Sequence, residues 1–228
     1  MTDILQHHVR CPDCNTESPF TLYRSLNVTL NPAEKQTLLA GQLFRFKCPN
    51  CGAATQVLYP MLYHDMQRKL MIWMIPDDGS GASPPAEPVG PGLPKGGAME
   101  GYRTRSVNSA NELLEKVLIF DAELDDLTLE MLKIIIAFQA EAAGEPKDAK
   151  IFFAKAGHDA SGAEQLVFAV VTPRGTRNAA IAREPMYSSS ALAAAEMSSR
   201  HPPPGNWPRV DAVYLKRIMD LDIRERHP

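Results

Sequence analysis

The chain lacks most of the short phrases that announce chemistry. It has no Walker A loop, no Gly-x-Gly-x-x-Gly after a strand, no His-Glu-x-x-His and no Gly-x-Ser-x-Gly. The usual sequence signals for phosphate cradling, metalloproteolysis and an activated serine are therefore missing. No apolar run approaches the ~20 residues of a membrane span. Met1 to Arg10 has neither the basic start nor the apolar core of a secretory signal. A soluble, cytoplasmic protein is expected. Positive charge is scarce as well, with a formal net charge of -3. The first 75 residues carry seven Lys/Arg against five Asp/Glu, little of the basic face that a nucleic-acid binder presents. Residues 76–145 are acidic, five against 13, and the remainder carries 12 against nine.

What is present begins with cysteine. There are four, arranged as two copies of one phrase: Cys11-Pro12-Asp13-Cys14 and Cys48-Pro49-Asn50-Cys51-Gly52, with 33 residues between Cys14 and Cys48. A Cys-x-x-Cys turn presents two sulfurs to one ion, and two such turns complete a tetrahedral four-thiolate shell. Cys11, Cys14, Cys48 and Cys51 are the expected ligands of a structural Zn2+. Four thiolates leave zinc no position for water or substrate, so the metal is expected to hold structure and not to react. Gly52 suits a positive φ after the last ligand, and Pro12 and Pro49 stiffen the turns. A thioredoxin-type dithiol is the competing interpretation, but it needs one Cys-x-x-Cys beside a βαβ unit, and here a matched second pair follows. His7 and His8 lie near Cys11 and read as a solvated tail, with substitution for a cysteine ligand as the alternative.

With 228 residues, 44% of them hydrophobic and 22% charged, the chain can bury one large core or two small ones. Phe20 to Leu30 reads as extended, and Asn31-Pro32-Ala33-Glu34 as a capped helix start ended by Gly41. Leu43 to Lys47, Thr55 to Leu58 and Lys69 to Ile75 read as strands. From Pro76 to Gly101, 13 of 26 residues are Gly or Pro, the composition of a disordered insertion. Tyr102 to Val107 is the expected returning strand. Ser109-Ala110-Asn111-Glu112 is a capping box. Asp121, Glu123, Asp125 and Asp126 collect ahead of a second helix, where the macrodipole favours acids, and they read as capping and solvated groups. Further on, Lys150 to Ala156 and Gln165 to Thr172 form a hairpin pattern, and Ser190 to Ser199 is helix-forming. Val210, Val213, Tyr214, Ile218 and Leu221 suggest one face of a last helix. The fold class is α+β: a zinc-ribbon-like small antiparallel sheet with helices over 1–143, carrying the insertion at 76–101, and a small α+β domain over 144–228.

The cysteine phrases, with Ser25-Leu26-Asn27, Asn31-Pro32, Tyr59-Pro60-Met61-Leu62-Tyr63-His64-Asp65, Glu112-Leu113-Leu114-Glu115-Lys116 and Leu124-Asp125-Asp126, resemble the bacterial and archaeal CpXC family over about the first 140 residues. The resemblance implies metal binding and a fold more than an activity. The family takes in a regulator of a bacterial Ras-like GTPase, so the resemblance also implies a small GTPase as a partner class.

Beyond the cysteines, Tyr63-His64-Asp65 is the one local cluster of acid-base groups. Neighbours on a strand point to opposite faces, which favours a structural trio over a catalytic one. Trp73, Trp207 and Tyr214 could anchor a partner, with core packing as the default. Arg174, Arg177 and Arg183 could supply a finger to a GTPase, with a solvated role as the default. The expectation is a non-enzymatic, zinc-stabilised protein-binding regulator. A nucleic-acid-binding ribbon and an enzyme built on His64 and Asp65 are the alternatives.

Overall fold

The computed structural model describes residues 2–77 and 100–226, so the Pro/Gly-rich insertion lies almost wholly outside the described residues. The chain divides into two compact units, Met1–Leu114 with Asn206–Pro208, and Glu115–Gly205 with Arg209–Pro228. The division falls after Leu114, inside a helix, whereas the sequence suggests a boundary between 143 and 144.

In the first unit the strands are β1 (Asp3–Arg10), β2 (Glu17–Asn27), β3 (Arg45–Lys47), β4 (Ala54–Gln56), β5 (Met61–Asp65), β6 (Leu70–Met74) and β7 (Arg103–Val107), and α1 spans Pro32–Leu39. One sheet has the order β1-β2-β5-β6-β7, and β3 pairs with β4 in a separate hairpin. The β1–β2 and β3–β4 ribbons are antiparallel, but the large sheet is mixed and not the antiparallel sheet expected, because β2 runs parallel to β5 and β6 parallel to β7. Parallel neighbours need long crossovers. The β2–β5 crossover contains α1 and the small hairpin. Every residue of β6 is buried, as are Met61, Leu62 and Tyr63 of β5. That continuous apolar run without alternation marks strands covered on both faces. Neither β1 nor β5 is foreseen from sequence: β1 alternates too little, and Pro60 obscures the start of β5.

Local expectations fare unevenly. Asn31 occupies the N-cap position of α1 without capping it; its side chain accepts instead from the Thr2 hydroxyl, and its own N–H goes to Asn27. Gly41 does end the helix, at φ +68, with its N–H 2.8 Å from the Leu38 carbonyl. The Ser109 half of the capping box is as expected, and the return bond from Glu112 reaches one residue further back. The Glu112 N–H donates to Ser109 Oγ at 3.2 Å, and the Glu112 carboxylate accepts from the Asn108 N–H at 2.9 Å.

The second unit takes the last turns of α2 (Ala110–Asp121), then α3 (Asp126–Ala142), β8 (Lys150–His158), β9 (Glu164–Thr172), β10 (Gly175–Ala182), α4 (Met186–Arg200) and α5 (Ala212–Arg226). Its sheet is antiparallel with the order β10-β9-β8. The expected β8–β9 hairpin is there, and the Thr172-Pro173-Arg174-Gly175 turn leads into β10, a third strand that its alanines conceal. Leu127, Ala194, Met197, Val210, Tyr214, Leu215 and Ile218 form a core of helix contacts. Val213 does not join it, being 76% exposed. The apolar stripe of α5 runs through Tyr214, Leu215 and Ile218, one position round the helix from the face expected.

The acid cluster divides in two. Asp125 caps α3, accepting from the Thr128 N–H and hydroxyl, both at 2.8 Å. Asp126 is wholly buried, together with Glu115, Lys116 and Glu130, so its expected solvation is incorrect. Lys116 Nζ lies 3.0 Å from Asp126 and 3.6 Å from Glu130, and donates to the Val210 carbonyl at 2.6 Å. Lys133 Nζ bridges Glu115 and Glu130 at 2.8 Å each, while the Phe153 N–H donates to Glu115 at 2.6 Å. Burial pushes the Glu115 carboxyl above its ordinary range against the pull of Lys133. For Lys133, burial works downward, but the charges of Glu115 and Glu130 outweigh it and raise the ammonium. Ions taken out of water persist where partners satisfy them, and this network ties α2, α3, β8 and Val210 into one unit.

Candidate metal centre

Cys11 and Cys14 sit in the turn that joins β1 to β2, and Cys48 and Cys51 in the turn that joins β3 to β4. The two turns are built alike. The Cys11 N–H donates to the Thr16 carbonyl at 3.0 Å and the Asn15 N–H to the Cys11 carbonyl at 3.0 Å. In the second turn the Cys48 N–H donates to the Ala53 carbonyl at 2.8 Å and the Gly52 N–H to the Cys48 carbonyl at 3.0 Å. Both turns then need a left-handed residue after the second cysteine. Gly52 takes φ +77 and Asn15 takes φ +59. Glycine does so without a Cβ clash, and asparagine is among the side chains that best tolerate the region. Asn15 is missed by sequence reading, yet its offset from Cys14 equals that of Gly52 from Cys51, and that equivalence is the signal.

The turns bring their four sulfurs together. All four Sγ atoms lie within 4.8 Å of one another, a group able to hold a metal ion. Cys11 Sγ is 3.6 Å from Cys51 Sγ, and Cys14 Sγ is 3.6 Å from Cys48 Sγ. A tetrahedral shell with bonds of ~2.3 Å has edges of about 3.8 Å, so the sulfur cage has the size of a four-thiolate site. Cys11 and Cys48 are buried, Cys14 is half-buried and Cys51 is exposed. Phe46 packs with the two buried sulfurs, flanked by Val9, Phe20, Ala53 and Val57. Phe20 meets Phe46 edge to face, ring centres 6.1 Å apart. Cys14 and Cys51 are shifted in opposite directions. Hydrogen bonds from the Thr16 side chain and backbone, and then from Asn50, bring the Cys14 thiol down to about 5. At Cys51 a backbone bond from Ala53 pulls downward, but the thiols of Cys14, Cys11 and Cys48 together with burial push it up to about 12. Cys14 thus already favours the thiolate, the metal-binding form.

The remaining candidates do not converge on the cage. His7 and His8 are exposed on β1 and are no part of the sulfur group. Tyr63 and Asp65 share one face of β5, with His64 on the other: Tyr63 is buried, His64 Nε2 meets the Tyr102 hydroxyl at 3.1 Å, and Asp65 accepts from the Arg68 N–H at 3.1 Å. Burial lowers the His64 imidazole. Trp73 and Trp207 pack edge to face with centres 6.0 Å apart, and the Tyr214 hydroxyl donates to the His201 carbonyl at 2.7 Å. Arg177 pairs with Glu145, and Arg183 pairs with Glu164 at 3.3 Å. Arg174 is exposed in the β9–β10 turn.

The family model for CpXC proteins matches residues 9–133, a span that holds both cysteine turns, the five-stranded sheet from β2 onward, α2 and the first half of α3. The chain belongs to the CpXC family. No curated protein and no solved structure matches it. The CpXC match contains the five charged residues of the ion network, Glu115, Lys116, Asp126, Glu130 and Lys133. Phe153 and Val210, which complete their hydrogen bonding, lie beyond it. Among the described residues no helix is long and apolar enough to cross a membrane.

Proposed function

We propose that this CpXC protein is a non-enzymatic, zinc-stabilised binding module that regulates another protein, with a bacterial Ras-like small GTPase as the partner class. The observation that carries the first half is the sulfur cage. Its four donors match zinc's preferred number and softness, and a shell they complete has no open position for chemistry. In a reducing cytoplasm such thiols stay available to metal and do not pair as disulfides. The small GTPase comes from the family resemblance. An enzyme built on His64 and Asp65 is poorly served, since each side chain is engaged in a separate local contact.

Affinity capture from the native cell with wild type and Cys48→Ser tests partner and metal dependence together, followed by GTP turnover of the captured GTPase with and without the purified chain. Support is a GTPase retained by wild type, lost with Cys48→Ser, and hydrolysing GTP faster when the chain is added. A wild-type protein purified without chelator that is folded and holds no zinc would end the structural-zinc reading. Unchanged GTP turnover would end the GTPase reading and leave zinc standing.

A further inference from the structure

The two edges of the five-stranded sheet are treated differently. Along β7, the Asn206–Pro208 segment covers the edge: the Ser106 N–H donates to the Pro208 carbonyl at 3.1 Å, and the Ser106 hydroxyl donates to the Trp207 carbonyl at 2.8 Å. The opposite edge is β1, which among the described residues pairs on one side only, with β2. Sheet proteins usually protect such an edge with proline, lysine, a bulge or a covering segment. β1 contains no proline and no lysine; its one register irregularity lies at its start, between Asp3 and Ile4, and from Ile4 to Arg10 it keeps one-to-one register with β2. Ile4 is 53% and Leu5 43% exposed.

The strand is also complementary to itself. An antiparallel pair of identical strands that continues one sheet is related by a two-fold axis normal to it, so facing residues lie on the same face and their numbers sum to an even value. With the axis through His7, Leu5 faces Val9 of the second copy, Gln6 faces His8, and Ile4 faces Arg10. The apolar pair Leu5–Val9 then forms twice, each time beside Leu22 or Ser18 on β2. Gln6 and His8 bring hydrogen-bonding side chains together. The only two formal charges of β1, Asp3 and Arg10, stand at opposite ends, so antiparallel pairing sets the acidic end of one copy beside the basic end of the other. An axis through Gln6 would instead oppose Asp3 to Val9 and Leu5 to His7. We propose that β1 is a homodimerisation edge that joins two copies of this chain into one continuous sheet, antiparallel and centred on His7.

Sedimentation equilibrium of the full chain from low to high micromolar concentration tests this, with zinc content followed to confirm that each variant stays folded. Wild type is expected to show a monomer–dimer equilibrium. His7→Asp places two like charges face to face on the axis and is expected to weaken the dimer by about tenfold or more, whereas His7→Thr, a good strand former, retains it. Under mild oxidation His7→Cys is expected to cross-link to itself and Gln6→Cys is not. A monomer at every concentration, a dimer indifferent to His7→Asp, or cross-linking at position 6 in place of position 7 would each overturn the proposal.

Discussion

The sulfur cage of the first unit and the charge network of the second solve one problem by opposite means. Each gathers polar groups that water would otherwise hold, and each ties together elements distant in sequence. The cage uses four identical side chains from two short turns, a group able to hold a metal ion. The network uses three carboxylates and two ammoniums from two helices, completed by the Phe153 N–H and the Val210 carbonyl. The difference teaches where information resides. A metal site is written in close spacing because one ion must be reached by every ligand, whereas an ion network needs only that helical faces meet.

Removing a cage ligand is the strongest way to break this comparison. Cys48→Ser should abolish stoichiometric zinc and unfold the ribbon, because a structural zinc site contributes on the order of ~10 kcal/mol to a small domain; zinc counting and a thermal melt read both losses. Retention of zinc and of the wild-type melt would show that the cage is not the scaffold.

Next in size is Lys116→Met, which leaves Asp126 buried without its ammonium and the Val210 carbonyl without its donor. A loss of roughly 3–5 kcal/mol in denaturant unfolding is expected, with zinc content unchanged. Loss of zinc in the same variant would show that the two centres are not separable.

A smaller effect should follow from Asp125→Ala, which removes the α3 cap and costs about 1 kcal/mol. Urea denaturation of the full chain provides the measurement, and the second unit should carry the change.

The smallest contrast concerns pH. In the β8–β9 loop, Asp159 accepts from the Ser161 hydroxyl at 2.6 Å and from the Ala163 N–H at 3.0 Å; these bonds, the Ser161 hydroxyl first, hold its carboxyl below the ordinary aspartate value. Its contribution is therefore complete above that ordinary value and is lost as pH falls through the folded one. An NMR acid titration should place the Asp159 midpoint below that of the Asp159→Asn-insensitive exposed carboxylates. At Glu115 the sign is reversed: a raised carboxyl favours the folded state at low pH, and that advantage fades as pH rises.

Much of the local structure is legible in the chain. The capping box at Ser109, the stop at Gly41, the β8–β9 hairpin and the four-cysteine grouping follow from side-chain chemistry acting over a few residues. The misses share one cause. Asn31 looks like a cap until Thr2, far away in sequence, engages its side chain. Val213 looks like core until the packing of α5 selects the adjacent stripe. Asp126 looks like a solvated group of the acid cluster, although its spacing to Glu130 and Lys133 along α3 puts the three on one side, next to the buried Leu129 and Leu132.

By itself, the sequence determined the sulfur set, the turns that carry it and the family, because a tetrahedral ion demands donors at close and repeated spacing. The tertiary structure alone decided that β2 and β5 run parallel, that five charged side chains withdraw from water, and that among the described residues one sheet edge pairs on one side only while the other is covered. Those outcomes depend on which distant backbone groups arrive to satisfy a strand or an ion, and no local pattern in the chain records their arrival.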